Sequence, residues 1–146
     1  MEKIRNATVL RQEIIATDIY SMWIETPLAD TAVPGQFLSL YPKDASRLLP
    51  RPISICEREE GKLRIVYRIA GGGTAEFSSY HAGDTVRVLG PLGNGFPKEE
   101  GHAMLIGGGI GLPPLLGLAK SLSGDTDIIC GFRNETFLTD ELSSCG

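Results

Sequence analysis

The stretch KLRIVYRIA, residues 62–70, carries the alternation that decides the fold class of this chain. Apolar side chains fall on every second position from Leu63 to Ile69, and Arg64 and Arg68 fall between them. Successive side chains of a β-strand point to opposite faces of the sheet. The pattern therefore predicts a strand with one packed face and a second face that carries the arginines.

Further segments of this kind lie on both sides of residues 62–70 and are separated by turn residues. Pro34-Gly35, Glu60-Gly61 and Gly83-Asp84 supply the backbone conformations that chain reversals need. The six predicted strands are 7–16, 19–26, 36–42, 52–57, 62–70 and 84–90. Short strands at this spacing predict a small antiparallel barrel or sandwich, which we assign to a first domain over residues 1–98.

The pattern changes after the polar linker 97–101. A strand at 104–108 leads through glycines into a helix at 113–122 and then a strand at 126–132, which is the order of a βαβ unit. Doubly wound nucleotide-binding domains ordinarily have five or six strands. The sequence therefore predicts a second, incomplete α/β domain over residues 102–146.

Composition excludes several classes of function. The formal net charge of −4 and the pI near 5.2 give no basic surface for nucleic acid. The uncharged run 103–119 contains five glycines and two prolines, which argues against a membrane span. Three cysteines and an N-terminus without the apolar run of a signal peptide predict a cytoplasmic protein.

The glycine-rich segment GGGIGLPP, residues 107–114, follows a predicted strand and opens a predicted helix. Its spacing, Gly109-x-Gly111-x-x-Pro114, places backbone N–H groups where a dinucleotide's pyrophosphate binds. It departs from G-x-G-x-x-G at the last residue. A turn whose glycines serve only close packing is the alternative interpretation.

Two other segments have the chemistry of an anion site. Arg51 precedes a predicted strand and can hold a phosphate bidentately, and Ser54 can offer its hydroxyl to the polar edge of a ring. In GGGTAEFSSY, Thr74 is predicted to cap a short helix, and Gly73 lets the backbone approach a ligand. A surface arginine paired with a carboxylate and a flexible loop with an ordinary cap remain the alternatives.

Taken in order, these motifs resemble the ferredoxin-NADP reductase superfamily. Within it, RPISI, the YRI-GGGT arrangement and CGFRN are most similar to the electron-transfer subunits of dihydroorotate dehydrogenase B, over essentially the whole chain. The motifs that carry the resemblance are Pro34-Gly35-Gln36-Phe37, Arg51-Pro52-Ile53-Ser54, Gly73-Thr74, Gly83-Asp84, Gly90-Pro91-Leu92-Gly93 with Phe96, and Gly108-Gly109-Ile110-Gly111 with Pro114. The resemblance implies a six-stranded antiparallel Greek-key barrel that binds FAD, followed by an incomplete Rossmann-like NAD-binding domain.

The resemblance also implies roles for particular residues. Arg51 would contact the FAD diphosphate and Ser54 the isoalloxazine. No side chain is implied as catalytic, because the flavin itself joins two-electron hydride transfer to one-electron transfer. The remaining residues implied to contact a cofactor are Pro52 and Ile53 beside Arg51, Tyr67, Arg68 and Ile69 along the flavin, Gly73 and Thr74 at the diphosphate, and Gly109 and Gly111 at NAD.

The implied partners are NAD(H) and a dihydroorotate dehydrogenase catalytic subunit, in pyrimidine biosynthesis. The family subunit also binds a 2Fe-2S centre through four cysteines, which the three cysteines of this chain cannot supply. We therefore expect a truncated form of the subunit, lacking part of the nicotinamide site, whose catalytic competence stays open. A general NAD(P)H-flavin reductase of the same superfamily and a flavin-binding module without catalysis are the alternatives.

Overall fold

Six β-strands close into an antiparallel barrel in the computed structural model, which describes residues 3–146. The order around the barrel is β1-β2-β5-β4-β3-β6, and β6 pairs back to β1. The strands are β1 (Arg5–Ala16), β2 (Ile19–Glu25), β3 (Phe37–Tyr41), β4 (Arg51–Glu59), β5 (Lys62–Arg68) and β6 (Thr85–Leu92). The predicted antiparallel barrel is confirmed, and each of its strands overlaps a segment predicted from the sequence.

Alternate positions of the strands fill the barrel interior. In β5 these are Leu63, Ile65 and Tyr67, each at most 2% exposed. The short helix α1 (Gly72–Phe77) contributes Phe77 to the same core, where its ring meets Tyr67 edge to face at 6.4 Å. The helix thereby joins the loop after β5 to the interior of the barrel.

A parallel strand pair with a connecting helix follows the barrel. β7 (Ala103–Gly108) and β8 (Thr126–Gly131) pair in parallel, and α2 (Pro113–Ser121) crosses between them. The last element is the short helix α3 (Thr139–Ser143). The strand-helix-strand order predicted after the linker is confirmed. No helix within residues 3–146 has the length and apolar character needed to cross a membrane.

A second hydrophobic core joins the barrel to these later elements. α2 lies so close to β4 that a Cβ at Gly117 would stand 2.6 Å from the Cys56 carbonyl oxygen. The barrel contributes Ala16, Ile19, Cys56 and Val66 to this core. The second face of β5 is therefore packed as well, whereas alternation alone assigned packing to one face. The division into domains over 1–98 and 102–146 stays a prediction.

Candidate functional site

The candidate site lies where β4 and β5 separate at one end of the barrel. Their pairing runs from Glu59 opposite Lys62 to Ile55 opposite Ile65 and stops there. Beyond that point, β4 residues 51–54 pair with β3 and the end of β5 pairs with β2. The divergence opens a gap between the two strands, and the predicted segments 51–54 and 67–69 flank it.

The RPIS segment forms one side of this gap. Ile53 is 7% exposed and points into the barrel, whereas Pro52 and Ser54 are exposed on the outer face. Arg51 lies two residues before Ile53 and therefore on the same face of the strand, but it is at the mouth of the barrel and is half-buried. The segment thus presents a hydroxyl on its outer face and a guanidinium at the mouth.

The other side of the gap is built from the end of β5. Tyr67 is 2% exposed, its ring stacks on Tyr20, and its hydroxyl donates to the Gln12 side-chain oxygen. Burial raises the pKa of this phenol. Only the backbone of Tyr67 can face a ligand in the gap, while the Arg68 side chain is exposed and Ile69 is half-buried.

The Gly71–Thr74 turn brings a glycine against Arg51. A Cβ on Gly73 would stand 2.9 Å from Arg51 Nε, so the side chain of Arg51 crosses this glycine. The prediction that Thr74 caps the helix is wrong, because Gly71 is the N-cap residue. The Thr74 hydroxyl instead accepts from the Ala70 N–H at 2.7 Å and donates to the Gly71 carbonyl at 3.2 Å. These two hydrogen bonds of the Thr74 hydroxyl hold the turn in its conformation.

Sequence reasoning missed the loop between β3 and β4, residues 42–50. A Cβ on Gly72 would stand 2.9 Å from Arg47 Cζ, so a second guanidinium lies against the glycine turn. Glu76 of α1 accepts hydrogen bonds from the backbone N–H groups of Lys43 and Asp44. About thirty residues separate these partners in sequence, so no local pattern could have joined them.

A second cleft lies at the carboxyl ends of the parallel strands, where open α/β sheets bind ligands. It has a volume of about 990 Å³ and contains Gly109, Arg68 and, opposite them, the β1–β2 turn at 16–19. Gly109 has φ +52°, and a Cβ there would stand 3.9 Å from Arg68 Nη2. Arg68 therefore borders both this cleft and the β4–β5 gap.

The glycines of the 107–114 segment do not share one role. A Cβ on Gly107 would stand 2.7 Å from Leu115 Cδ1, so this glycine allows close packing of α2 on β7. Gly111 is exposed, and a Cβ there would meet nothing within 4 Å. Packing accounts for Gly107 and leaves Gly111 without a structural requirement.

The described residues do not fit an iron-sulfur centre. A 2Fe-2S cluster needs four protein ligands. Residues 3–146 contain no group of three or more His, Cys, Asp or Glu side chains placed to hold a metal ion. Cys56 is 1% exposed, and burial raises the pKa of its thiol to about 12, far from the thiolate form that metals bind.

Two curated relatives of this chain carry the same name. No family model matches the sequence. The dihydroorotate dehydrogenase B (NAD(+)) electron transfer subunit of Streptococcus pneumoniae (strain ATCC BAA-255 / R6) is 39% identical over 157 aligned residues, covering 100% of this chain and 61% of that protein. The subunit of Streptococcus mutans serotype c is 44% identical over 139 residues, covering 89% and 54%. The chain is homologous to these electron transfer subunits. It spans about 60% of the length of the first and about half of the second.

Solved structures agree with the homology to the electron transfer subunits. An NADH-dependent reduced ferredoxin-NADP oxidoreductase matches with a TM-score of 0.81 at 30% identity, over 88% of this chain and 49% of that one. Ferredoxin-NADP+ reductase from Plasmodium falciparum matches with a TM-score of 0.83 over 97% and 65%, and at 16% identity it shows the fold alone. The resemblance to the ferredoxin-NADP reductase superfamily is confirmed.

In this homologue of the electron transfer subunits, the gap has two chemically distinct parts. The mouth holds the guanidinium groups of Arg51 and Arg47 against successive glycines, an arrangement suited to an anion. The outer face holds Ser54 and Arg68 beside exposed Pro52. Such a gap can bind an anion at its mouth and offers a hydroxyl and a further guanidinium to a ligand on its outer face.

Proposed function

We propose that this chain binds FAD at the gap between β4 and β5 and serves flavin-dependent electron transfer. Its homology to dihydroorotate dehydrogenase B electron transfer subunits supports the proposal. The observation that carries it is the Arg51 guanidinium lying across Gly73 at the mouth of the gap. A glycine there leaves room for both the arginine and a phosphate.

The charge at the mouth fits a diphosphate. Within residues 3–146 Arg51 forms no ion pair, so its guanidinium donors are available to phosphate oxygens. Charge-assisted, bidentate hydrogen bonds of this kind are the strong ones in proteins. The availability of Arg51 argues against the alternative of a surface arginine paired with a carboxylate.

The remaining residues would hold and orient the flavin. The Ser54 hydroxyl would donate to a polar edge of the ring system, and the backbone of Tyr67 and Ile69 would line its other side. Flavins couple two-electron hydride transfer to one-electron transfer, a chemistry that no side chain supplies. Gly109, which lines the neighbouring cleft, would border NAD(H) there, with Arg68 between the two ligands. Gly111, exposed two residues further along the same segment, would border NAD(H) from beyond that lining.

The whole protein is proposed to pass electrons between NAD(H) and a dihydroorotate dehydrogenase catalytic subunit in the cytoplasm, in pyrimidine biosynthesis. The printed names of the relatives support this partner and pathway. The likeness to an NADH-dependent ferredoxin-NADP oxidoreductase favours a second candidate, a reductase with another acceptor protein. Retention of the chain by an immobilised dihydroorotate dehydrogenase catalytic subunit, but not by ferredoxin, would support the first candidate.

Calorimetric titration with FAD tests the cofactor proposal. We expect Arg51→Ala to weaken FAD binding by about 1.5–3 kcal/mol, the usual contribution of a charged hydrogen bond. Arg58→Ala removes the same charge roughly 20 Å along the same strand and should leave FAD affinity unchanged. Equal affinities of the Arg51→Ala variant and the wild type would contradict the proposal.

A further inference from the structure

One carboxylate holds the loop 42–50 in place beside the glycine turn. Glu76 Oε2 accepts from the Lys43 N–H at 2.7 Å and Glu76 Oε1 from the Asp44 N–H at 2.9 Å. Glu76 also accepts from the Tyr80 hydroxyl. Burial of Glu76 raises its pKa, but these hydrogen bonds outweigh burial and hold the pKa below its usual range. Glu76 is therefore ionised at neutral pH and keeps the start of the loop against α1.

Fixing the start of the loop fixes Arg47. The loop turns at Asp44, whose carboxylate accepts from the Ser46 N–H and pairs with Arg47 at 3.2 Å. The Arg47 guanidinium then lies against Gly72, as Arg51 lies against Gly73. Arg47 of the loop and Arg51 of β4 thus contact adjacent glycines of one turn.

The ion pairs of Arg47 do not account for its position. Asp44 and Arg47 side chains are about 40% exposed, and exposed pairs of this kind contribute little. The distance from Arg47 Nη1 to Glu76 Oε1 is 3.9 Å, beyond hydrogen-bond length. A guanidinium has five donors, and these contacts leave most of them without an acceptor from the protein.

We propose that Arg47 is a second phosphate-binding residue of the FAD site and that Glu76 is the positioning residue that holds it there. The inference rests on the proposed function, because it names further residues of the same site. Arg47 and Arg51 would bind the diphosphate from two sides, each across one glycine. Two positive charges beside one another are stabilised when a dianionic ligand lies between them.

The test compares FAD with riboflavin, which has the same ring system and no phosphate. Flavin fluorescence titrations of Arg47→Ala should show FAD binding weakened at least about tenfold and riboflavin binding unchanged. The dependence of FAD affinity on salt should also become shallower, since one phosphate contact is lost. Arg47→Lys keeps the charge without the planar fork and should restore part of the affinity.

Glu76→Gln tests the positioning role without removing bulk. A glutamine amide has one acceptor oxygen and cannot accept from both the Lys43 and Asp44 N–H groups as the carboxylate does. We expect the same loss for FAD, no loss for riboflavin, and no further loss in the Arg47→Ala/Glu76→Gln double variant, because both changes remove one contact. Glu99→Gln, an exposed linker residue, is the matched control and should bind FAD like the wild type.

The outcomes separate this inference from the proposed function. If the wild type binds no FAD, both are overturned. If Arg51→Ala weakens FAD binding and Arg47→Ala does not, the Arg47 inference alone is overturned. Equal losses for riboflavin and FAD in Glu76→Gln would show that Glu76 supports the fold generally and would overturn its positioning role.

Discussion

Gly111 is the residue at which ligand binding and packing can be separated by substitution. A Cβ there meets no atom within 4 Å and the backbone is not at positive φ, so Gly111→Ala should change the free energy of unfolding by less than about 0.5 kcal/mol. If a dinucleotide approaches this backbone, NADH affinity should fall about tenfold or more, as titration calorimetry would show. An alanine variant that binds NADH like the wild type would remove Gly111 from the proposed site.

Gly107 provides the matched comparison on the same segment. Its substitution by alanine places a methyl group 2.7 Å from Leu115 Cδ1 and should destabilise the fold by about 1–3 kcal/mol. Urea denaturation of both variants checks the contrast. Loss of stability in both would mean that the whole glycine segment serves packing.

Cys56 makes stability depend on pH in the alkaline range. Burial raises the pKa of its thiol from the ordinary 9.0 to about 12, so the folded state retains a proton that the unfolded state loses. The stabilisation from the buried neutral thiol is fully present well below pH 9 and declines as the pH rises from 9 toward 12, by roughly 1 kcal/mol at pH 10. Between pH 8 and pH 10 the urea midpoint should fall more for the wild type than for Cys56→Ala. Equal falls in the two proteins would contradict the raised pKa of Cys56.

At the scale of elements, an ion-pair network centred on the buried Arg64 and Glu57 side chains connects α2 and α3 to the barrel. Arg64 of β5 donates to Ser21 Oγ at 2.8 Å, Glu57 at 3.3 Å and Glu141 of α3 at 2.6 Å. Lys120 of α2 reaches Glu57 at 3.0 Å. The network joins three barrel strands, β2, β4 and β5, to both later helices.

We expect Arg64→Ala to destabilise the protein by about 2–4 kcal/mol, because Glu57 is 6% exposed and would keep a buried charge with one partner fewer. Lys62, on the same strand as Arg64, forms an exposed pair with Glu59 at the end of β4, and Lys62→Ala should cost no more than about 1 kcal/mol. Chemical denaturation of the two variants measures the difference. Similar losses would show that the network contributes no more than a surface pair.

The positions of the strands could be predicted from the sequence, whereas the burial of each strand face could not. Alternation and turn glycines are local signals, which is why β5 and the turns at Gly35, Gly61 and Gly83 were placed correctly. Arg64 is buried where Glu141 of α3, 77 residues away, pairs with it, and no residue within 62–70 indicates this contact. The site follows the same rule. The RPIS segment could be found from its own residue types, whereas Arg47 has its role through a contact with Gly72 in a distant segment of the chain. The contacts of Thr74 are local, with Ala70 and Gly71, but its residue type alone does not distinguish them from a helix cap.

At the scale of the whole molecule, the second hydrophobic core packs the later elements against the barrel. Removal of the strand pair and its helices would expose the Ala16, Ile19, Cys56 and Val66 side chains on the barrel. Burial of such apolar surface dominates folding free energy, at roughly 25 cal/mol per Å². Residues 3–146 are therefore expected to unfold in one cooperative transition, with calorimetric and van't Hoff enthalpies in agreement.

Cofactor binding provides a sharper form of this prediction. FAD at the β4–β5 gap contacts the barrel, so it stabilises the native state by RT ln(1 + [L]/Kd), about 2.7 kcal/mol at a hundredfold excess over Kd. If the molecule opens as one unit, hydrogen exchange of the most protected amides in β7 and β8 should slow by the same factor as exchange in β5, although no residue of β8 lies at the gap. Arg51→Ala, measured at the same FAD concentration, should reduce the added protection equally in both places. Protection confined to the barrel strands would show that the β7–β8 pair opens separately, and that the second core joins two domains rather than completing one.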